Sequence, residues 1–78
     1  MRKHAARRRA IIAVLKEARE QAGVSQRALS EKLGEAVTYM HEVESSQHGV
    51  RTEEFIAIAE ALELDPLELL ARVLKKKG

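Results

Sequence analysis

The chain has 78 residues, enough for one domain around a single core and too few for a second. It contains no cysteine, which excludes a disulfide framework and a thiolate metal site, and only two aromatic residues, Tyr39 and Phe55, so Leu, Ile, Val and Ala must fill the core. The net charge of +2 conceals a division: residues 1–19 carry seven basic side chains against the single acid Glu17, residues 20–74 carry four against eleven acids, and Lys75, Lys76 and Lys77 precede Gly78.

The missing cysteines fit a reducing cytoplasm. The apolar run Ile11 to Leu15 is far shorter than the roughly 20 residues of a membrane span. It also passes into a charged helical pattern with no cleavage-like break, so neither a membrane anchor nor a leader peptide is expected.

In chain order, residues 1–9 read as a flexible basic arm holding Arg2, Lys3, Arg7, Arg8 and Arg9, followed by a domain over 10–75 and a basic tail over 76–78. Helical spacing of Ile11, Leu15, Ala18 and Ala22, with Val14 beside them, predicts a first helix over about 6–22. Gly23 supplies a left-handed stop and Ser25 a cap for a second helix over 26–33, with Ala28, Leu29 and Leu33 turned inward and Gly34 as its stop. A third helix over about 36–44 repeats Val37, Met40 and Val43, and residues 45–51 read as a loop. Thr52 is a candidate cap for a fourth helix with Phe55, Ile58, Ala59 and Leu62 as its buried stripe. Asp65-Pro66-Leu67-Glu68 combines a cap, a proline at the first helical position and a carboxylate three residues after the cap, a strong helix start. In the fifth helix, Leu67, Leu70, Val73 and Leu74, with Leu69 adjoining, form more apolar surface than one-sided packing needs, which marks a candidate dimer interface. The lysines after it are placed to complement its negative C-terminal end.

Two short helices joined through Gly34 place the third where it can project, and a major groove about 12 Å wide admits one helix. The chain resembles the Cro/cI-type, or XRE-type, helix-turn-helix family over about residues 11–74. The resemblance is carried by Leu15-Lys16-Glu17-Ala18-Arg19, Gly23-Val24-Ser25-Gln26, Leu29, Leu33-Gly34, Val43-Glu44 and the run Phe55 to Leu62. It implies an all-α, five-helix lambda-repressor-like helix-turn-helix domain that binds double-stranded DNA as a homodimer and regulates transcription. By the same resemblance Gln26 touches the DNA backbone at the start of helix two, Arg19 and Glu44 form an internal salt bridge, and Val37, Thr38, Tyr39, His41 and Glu42 occupy the base-reading positions. The chain departs from the family at Glu35, where a small apolar residue is usual, at Ser46, where glycine is usual, and at Val50, where proline or a small apolar residue is usual.

The residues themselves set the chemistry those positions can perform. Val37 can meet a thymine methyl, Thr38 a base or phosphate, and Glu42 can accept from cytosine N4, although Glu42 read by itself is equally a solvated carboxylate. Gln26 is otherwise an exposed neighbour of a cap. Arg27, Ser46, Gln47, His48 and Arg51, with Gln26, are the candidate contacts to the sugar-phosphate backbone. An acidic central domain supplies little counterion release, so the basic arm is expected to provide it, unless its charge serves solubility alone.

Enzymatic readings lack support. His4, His41 and His48 do not have metal-ligand spacing, no nucleophile lies beside an oriented base, and no glycine-rich phosphate cradle occurs. No cofactor, metal or small-molecule substrate is expected. The alternative from another class is a protein-interaction module of the same fold, an antitoxin or polymerase adaptor using the acidic third helix and apolar fifth helix.

Overall fold

Five helices make up the computed structural model, which describes residues 4–45 and 49–76: α1 (Ala5–Gln21), α2 (Gln26–Lys32), α3 (Tyr39–Ser45), α4 (Thr52–Ala61) and α5 (Pro66–Lys75). Among the described residues there is no strand, and the all-α, five-helix expectation is met. None of these helices is long and apolar enough to cross a membrane.

The helices stop by one backbone device used three times. After α1, the Gly23 N–H donates to the Glu20 carbonyl at 3.0 Å and the Val24 N–H to the Arg19 carbonyl at 3.2 Å. After α2, Gly34 and Glu35 repeat the pattern on Glu31 and Ser30, and after α4, Glu63 and Leu64 repeat it on Glu60 and Ala59. Each is a Schellman stop, in which the residue after the cap is left-handed and its neighbour's N–H reaches back over the last turn. Gly23 and Gly34 adopt φ +73° at no steric cost, whereas Glu63 is held at φ 61° with a side chain attached.

Helix starts use side chains. The Ser25 Oγ accepts the Ala28 N–H at 3.0 Å, and the Asp65 carboxylate accepts the Leu67 N–H at 2.9 Å with Pro66 opening α5. At α4 the cap is Arg51, not Thr52: Glu54 Oε1 accepts the Arg51 backbone N–H at 2.9 Å, so the carboxylate inside the first turn closes the end without a hydroxyl.

The core joins Ala10, Val14, Leu15 and Ala18 of α1 with Leu29 of α2, Met40 and Val43 of α3, Phe55, Ile58 and Ala59 of α4, and Leu62, Leu69 and Val73. α1 runs through its centre, packed against α3, α4 and α5. Four expectations are corrected here. Ala5 to Arg9 belong to α1 instead of a flexible arm, because Ala and Arg favour helix and no Gly or Pro interrupts them before the buried Ala10. α3 starts at Tyr39, three residues later than the apolar spacing implied, and Val37 is exposed in the preceding turn. Ala28 and Ala22 face outward. Val73 is only 1 % exposed and belongs to the monomer's core, since α5 turns Leu69 and Val73 toward α1 and α4 and leaves Leu67, Leu70 and Leu74 outside. The tail also differs: Lys76 Nζ pairs with Glu17 of α1 at 2.8 Å, which ties the end of α5 to α1.

Shared left-handed geometry gives a direct test. Gly23→Ala and Gly34→Ala should each lower the unfolding free energy by about 1–2 kcal/mol, whereas Glu63→Gly should be neutral or stabilising. Urea denaturation of the three variants measures this, and equal losses at all three positions would contradict the assigned strain.

Candidate nucleic-acid interface

The turn between α2 and α3 is organised by Ser30, which is completely buried. Its Oγ donates to the Gln26 carbonyl at 2.8 Å and accepts the Met40 N–H at 2.9 Å, so one hydroxyl fixes the start of α3 to the body of α2. The chain from Glu35 to Thr38 turns outside the helices, and the Thr38 carbonyl accepts the Glu42 N–H, placing Thr38 where α3 begins.

At the other end of α3, Arg19 and Glu44 meet in two parallel contacts, Nε to Oε2 at 2.6 Å and Nη2 to Oε1 at 3.2 Å. Two further hydrogen bonds join the cluster: Arg19 Nη1 donates to the Val24 carbonyl at 2.7 Å, and Gln26 Nε2 donates to Glu44 Oε1 at 2.8 Å. The side chains of Arg19 and Glu44 are 10 % and 4 % exposed, so the pair lies out of bulk water. The hydrogen bond that Arg19 donates to Glu44 holds its guanidinium above its ordinary pKa in spite of its burial. Gln26, the first residue of α2, is half-buried with its amide oriented by Glu44, next to backbone N–H groups that no intrahelical carbonyl can reach.

Of the five positions that the resemblance marks as base-reading, Val37, Thr38, His41 and Glu42 are exposed together at the start of α3 and the turn before it. Tyr39 is turned the other way. It is half-buried against the core, and its hydroxyl donates to Glu54 Oε2 at 3.0 Å, while the other oxygen of Glu54 caps α4. Burial first, then this hydrogen bond and the Glu54 charge, pushes the Tyr39 hydroxyl up to about 12. Tyr39 therefore joins α3 to α4 and leaves the outward set.

The backbone candidates divide as well. Arg27 is exposed on α2 with its Nε 3.4 Å from Glu31, a weak surface pair, and Arg51 is exposed just before α4. Ser46, Gln47, His48, Arg2 and Lys3 lie outside the described residues. Arg7 and Arg9 are exposed on α1, and Arg8 is half-buried. Away from these candidates, Leu67, Leu70 and Ile56 border an apolar groove completed by Ile11, Val50, Phe55 and Pro66, with Leu74 further along the same α5 face. Ser30 and Glu54 were not among the sequence candidates. A serine within a short amphipathic helix is the one visible sign of the first, and the second is marked only as an acid suited to the positive start of α4.

Both clamps can be tested. Glu44→Gln should cost about 3–5 kcal/mol, because Arg19 is left buried without its counter-charge. Replacing both residues by methionine should recover much of that loss in the same denaturation experiment. For Tyr39, the folded protein keeps the hydroxyl protonated at pH values where an unfolded tyrosine has ionised. Its stabilising contribution is therefore complete below pH 10 and fades as pH rises toward about 12. The tyrosinate absorbance comes from this one residue, so a titration midpoint well above 10 is expected in the folded chain. Tyr39→Phe should cost about 1 kcal/mol at neutral pH.

Comparison with known proteins adds two findings. The family model described as a helix-turn-helix domain matches residues 12–73. Among solved structures the chain is similar to the clp gene regulator ClgR from C. glutamicum, at 25% identity and a TM-score of 0.79, with 92% of each chain covered. No curated protein matches the sequence. With residues 12–73 matched and the α2–α3 unit built as described, the chain belongs to the helix-turn-helix domain family, in the Cro/cI (XRE) type that its motifs implied.

Proposed function

We propose that this protein is a non-enzymatic DNA-binding regulator of transcription that presents the start of α3 to the major groove of a duplex. One observation carries the reading: Val37 and Thr38 in the turn before α3 and His41 and Glu42 on it are all exposed, while Ser30 and the Arg19–Glu44–Gln26 network fix the rear of that helix. A reading element must hold its side chains in register with base edges, and a seven-residue helix does so only when its neighbours hold it. Val37 would meet a thymine methyl, Thr38 a base edge or phosphate, and Glu42 a cytosine amino group. Gln26, Arg27 and Arg51 would contact the flanking phosphates, with the basic side chains at the start of α1 adding charge. The similar solved protein is itself a gene regulator.

The functional unit in this proposal is a homodimer. Leu67, Leu70 and Ile56 are 75 %, 42 % and 39 % exposed around the apolar groove, and Leu74 is 61 % exposed. A two-fold pairing of this face would cover them and set two copies of α3 at successive major grooves. The same-fold alternative, a protein-interaction module, draws support from the exposed acids Glu35 and Glu42, which repel phosphate.

Selection of bound sequences from a random duplex library separates the two. A palindromic winner is expected, with affinity falling steeply as salt rises. Thr38→Ala and Glu42→Ala should change the preferred bases, with about 1–3 kcal/mol of discrimination lost at the position each one reads. A library that enriches nothing would overturn the DNA reading in favour of the interaction module.

A further inference from the structure

Tyr39 and Glu54 are fifteen residues apart in the chain and meet where α3 and α4 begin. The Tyr39 hydroxyl donates to Glu54 Oε2 at 3.0 Å, and Glu54 Oε1 accepts the Arg51 N–H at 2.9 Å, so one carboxylate holds the cap of α4 and the first residue of α3 together. The tyrosine lines a cleft with Leu33, Ala57 and Ile58 and packs against the core. Burial and the bond to Glu54 keep its hydroxyl protonated, and therefore a donor, throughout the neutral range. α3 itself packs against α1 and α2, and its other restraints lie on that side: the Ser30 hydroxyl on the Met40 N–H and the Arg19–Glu44 pair at the last turn. Those restraints decide which residues face outward. Tyr39 adds a further point of attachment, to α4, at the turn from which Thr38, His41 and Glu42 emerge. Successive helical residues turn by about 100°, so the side chain at 41 leaves α3 about 200° from the one at 39. Tying Tyr39 to α4 thus aims His41 to the opposite side, and any roll of the first turn moves both.

We propose that Tyr39 and Glu54 form a positioning strut for base reading: by fixing the roll of the first turn of α3, the pair sets how sharply one DNA sequence is preferred over another, without itself touching the duplex. The proposal rests on the DNA-binding reading above. Tyr39 stands at a position that the family resemblance gives to base contact, and here its hydroxyl is used within the protein instead. A hydrogen bond to a base edge selects only when its partners are held within about 0.5 Å of the productive geometry. Seven residues of helix do not have that stiffness by themselves. The strut supplies it at the end of α3 that carries the reading side chains, whereas Glu44 acts at the far end. Attraction to phosphate is long-ranged and indifferent to a small roll, so loosening the strut costs discrimination and spares affinity for DNA in general.

The test compares the affinity of the full chain for the duplex selected from the random library with its affinity for duplexes carrying one changed base pair. Tyr39→Phe keeps the ring and removes the hydroxyl. The affinity ratio should fall about 2- to 10-fold at each base pair that the unmodified chain reads, the factor set by one hydrogen bond, with binding to random duplex unchanged. Glu54→Ala should lower the ratio in the same way from the α4 side, and Glu54→Gln, whose amide can hold both partners, should recover it. Ala13→Gly is the control: it destabilises the middle of α1 with no change of charge and should leave the ratio unaltered. An unaltered ratio in Tyr39→Phe, or an equal fall in Ala13→Gly, would overturn the strut, while the DNA reading stands if Thr38→Ala still shifts base preference. A loss confined to one base pair in Tyr39→Phe, with none in Glu54→Ala, would overturn it in favour of a direct base contact by Tyr39. Absence of duplex binding by the unmodified chain would instead sink the DNA reading, and the strut with it. Thermal unfolding of each variant checks the fold, and should Glu54→Ala fail to fold, Tyr39→Phe and Glu54→Gln still decide.

Discussion

A single buried carboxylate organises the half of this domain built from α1, α2 and α3. Glu44, on the last turn of α3, receives Arg19 from α1 in a bidentate pair and Gln26 from the start of α2, so three helices converge on it. Removing both charges from water is costly. It is tolerated here because the geometry is bidentate and a third Arg19 N–H is taken by the Val24 carbonyl. What the arrangement secures is orientation. Seven residues of helix have little stability by themselves, and Met40 and Val43 alone would let α3 roll on its apolar side. With Glu44 fixed at one end and the Met40 N–H held by Ser30 at the other, the outward residues are determined.

The same logic sorts the acids of the central domain. Glu44 and Glu54 face inward and are consumed by structural contacts, the first with Arg19 and Gln26, the second with the Arg51 amide and the Tyr39 hydroxyl. Glu35 and Glu42 remain exposed beside the residues offered to a duplex. In the proposed function a polyanion would meet an unfavourable field there, offset by Arg27 on α2 and by cations outside the α2–α3 unit. The division of charge along the chain thus becomes a division in space, with the basic start of α1 carried by its helix to the loop behind α3.

α5 shows how one helix can serve two surfaces. Leu69 and Val73 complete the core against α1 and α4, and Lys76 fastens the end of the helix to Glu17. The opposite stripe of Leu67, Leu70 and Leu74 has no partner within the described chain. The proposed homodimer would cover this stripe.

Much of the fold can be read from local chemistry. Ser25 and Asp65 accept the N–H groups that open α2 and α5, Gly23 and Gly34 permit the left-handed stops, and the 3.6-residue rhythm marks which segments are helical. These signals are legible because each is satisfied within a window of a few residues. The third stop, at Glu63, escapes notice because Leu64 and the packing around it force a conformation its own side chain disfavours. Orientation is equally non-local. Spacing places Leu67, Leu70, Val73 and Leu74 on adjoining faces, yet only the positions of α1 and α4 make Val73 core and leave the leucines outside. Tyr39 belongs to a reading position by sequence and to the α3–α4 contact by structure, since Glu54, fifteen residues away, captures its hydroxyl. Arg8 belongs to a basic arm by sequence, and its contact with Gly49 exists only through the fold. Periodicity and capping are properties of a segment, whereas the covering of a face depends on where another segment lies.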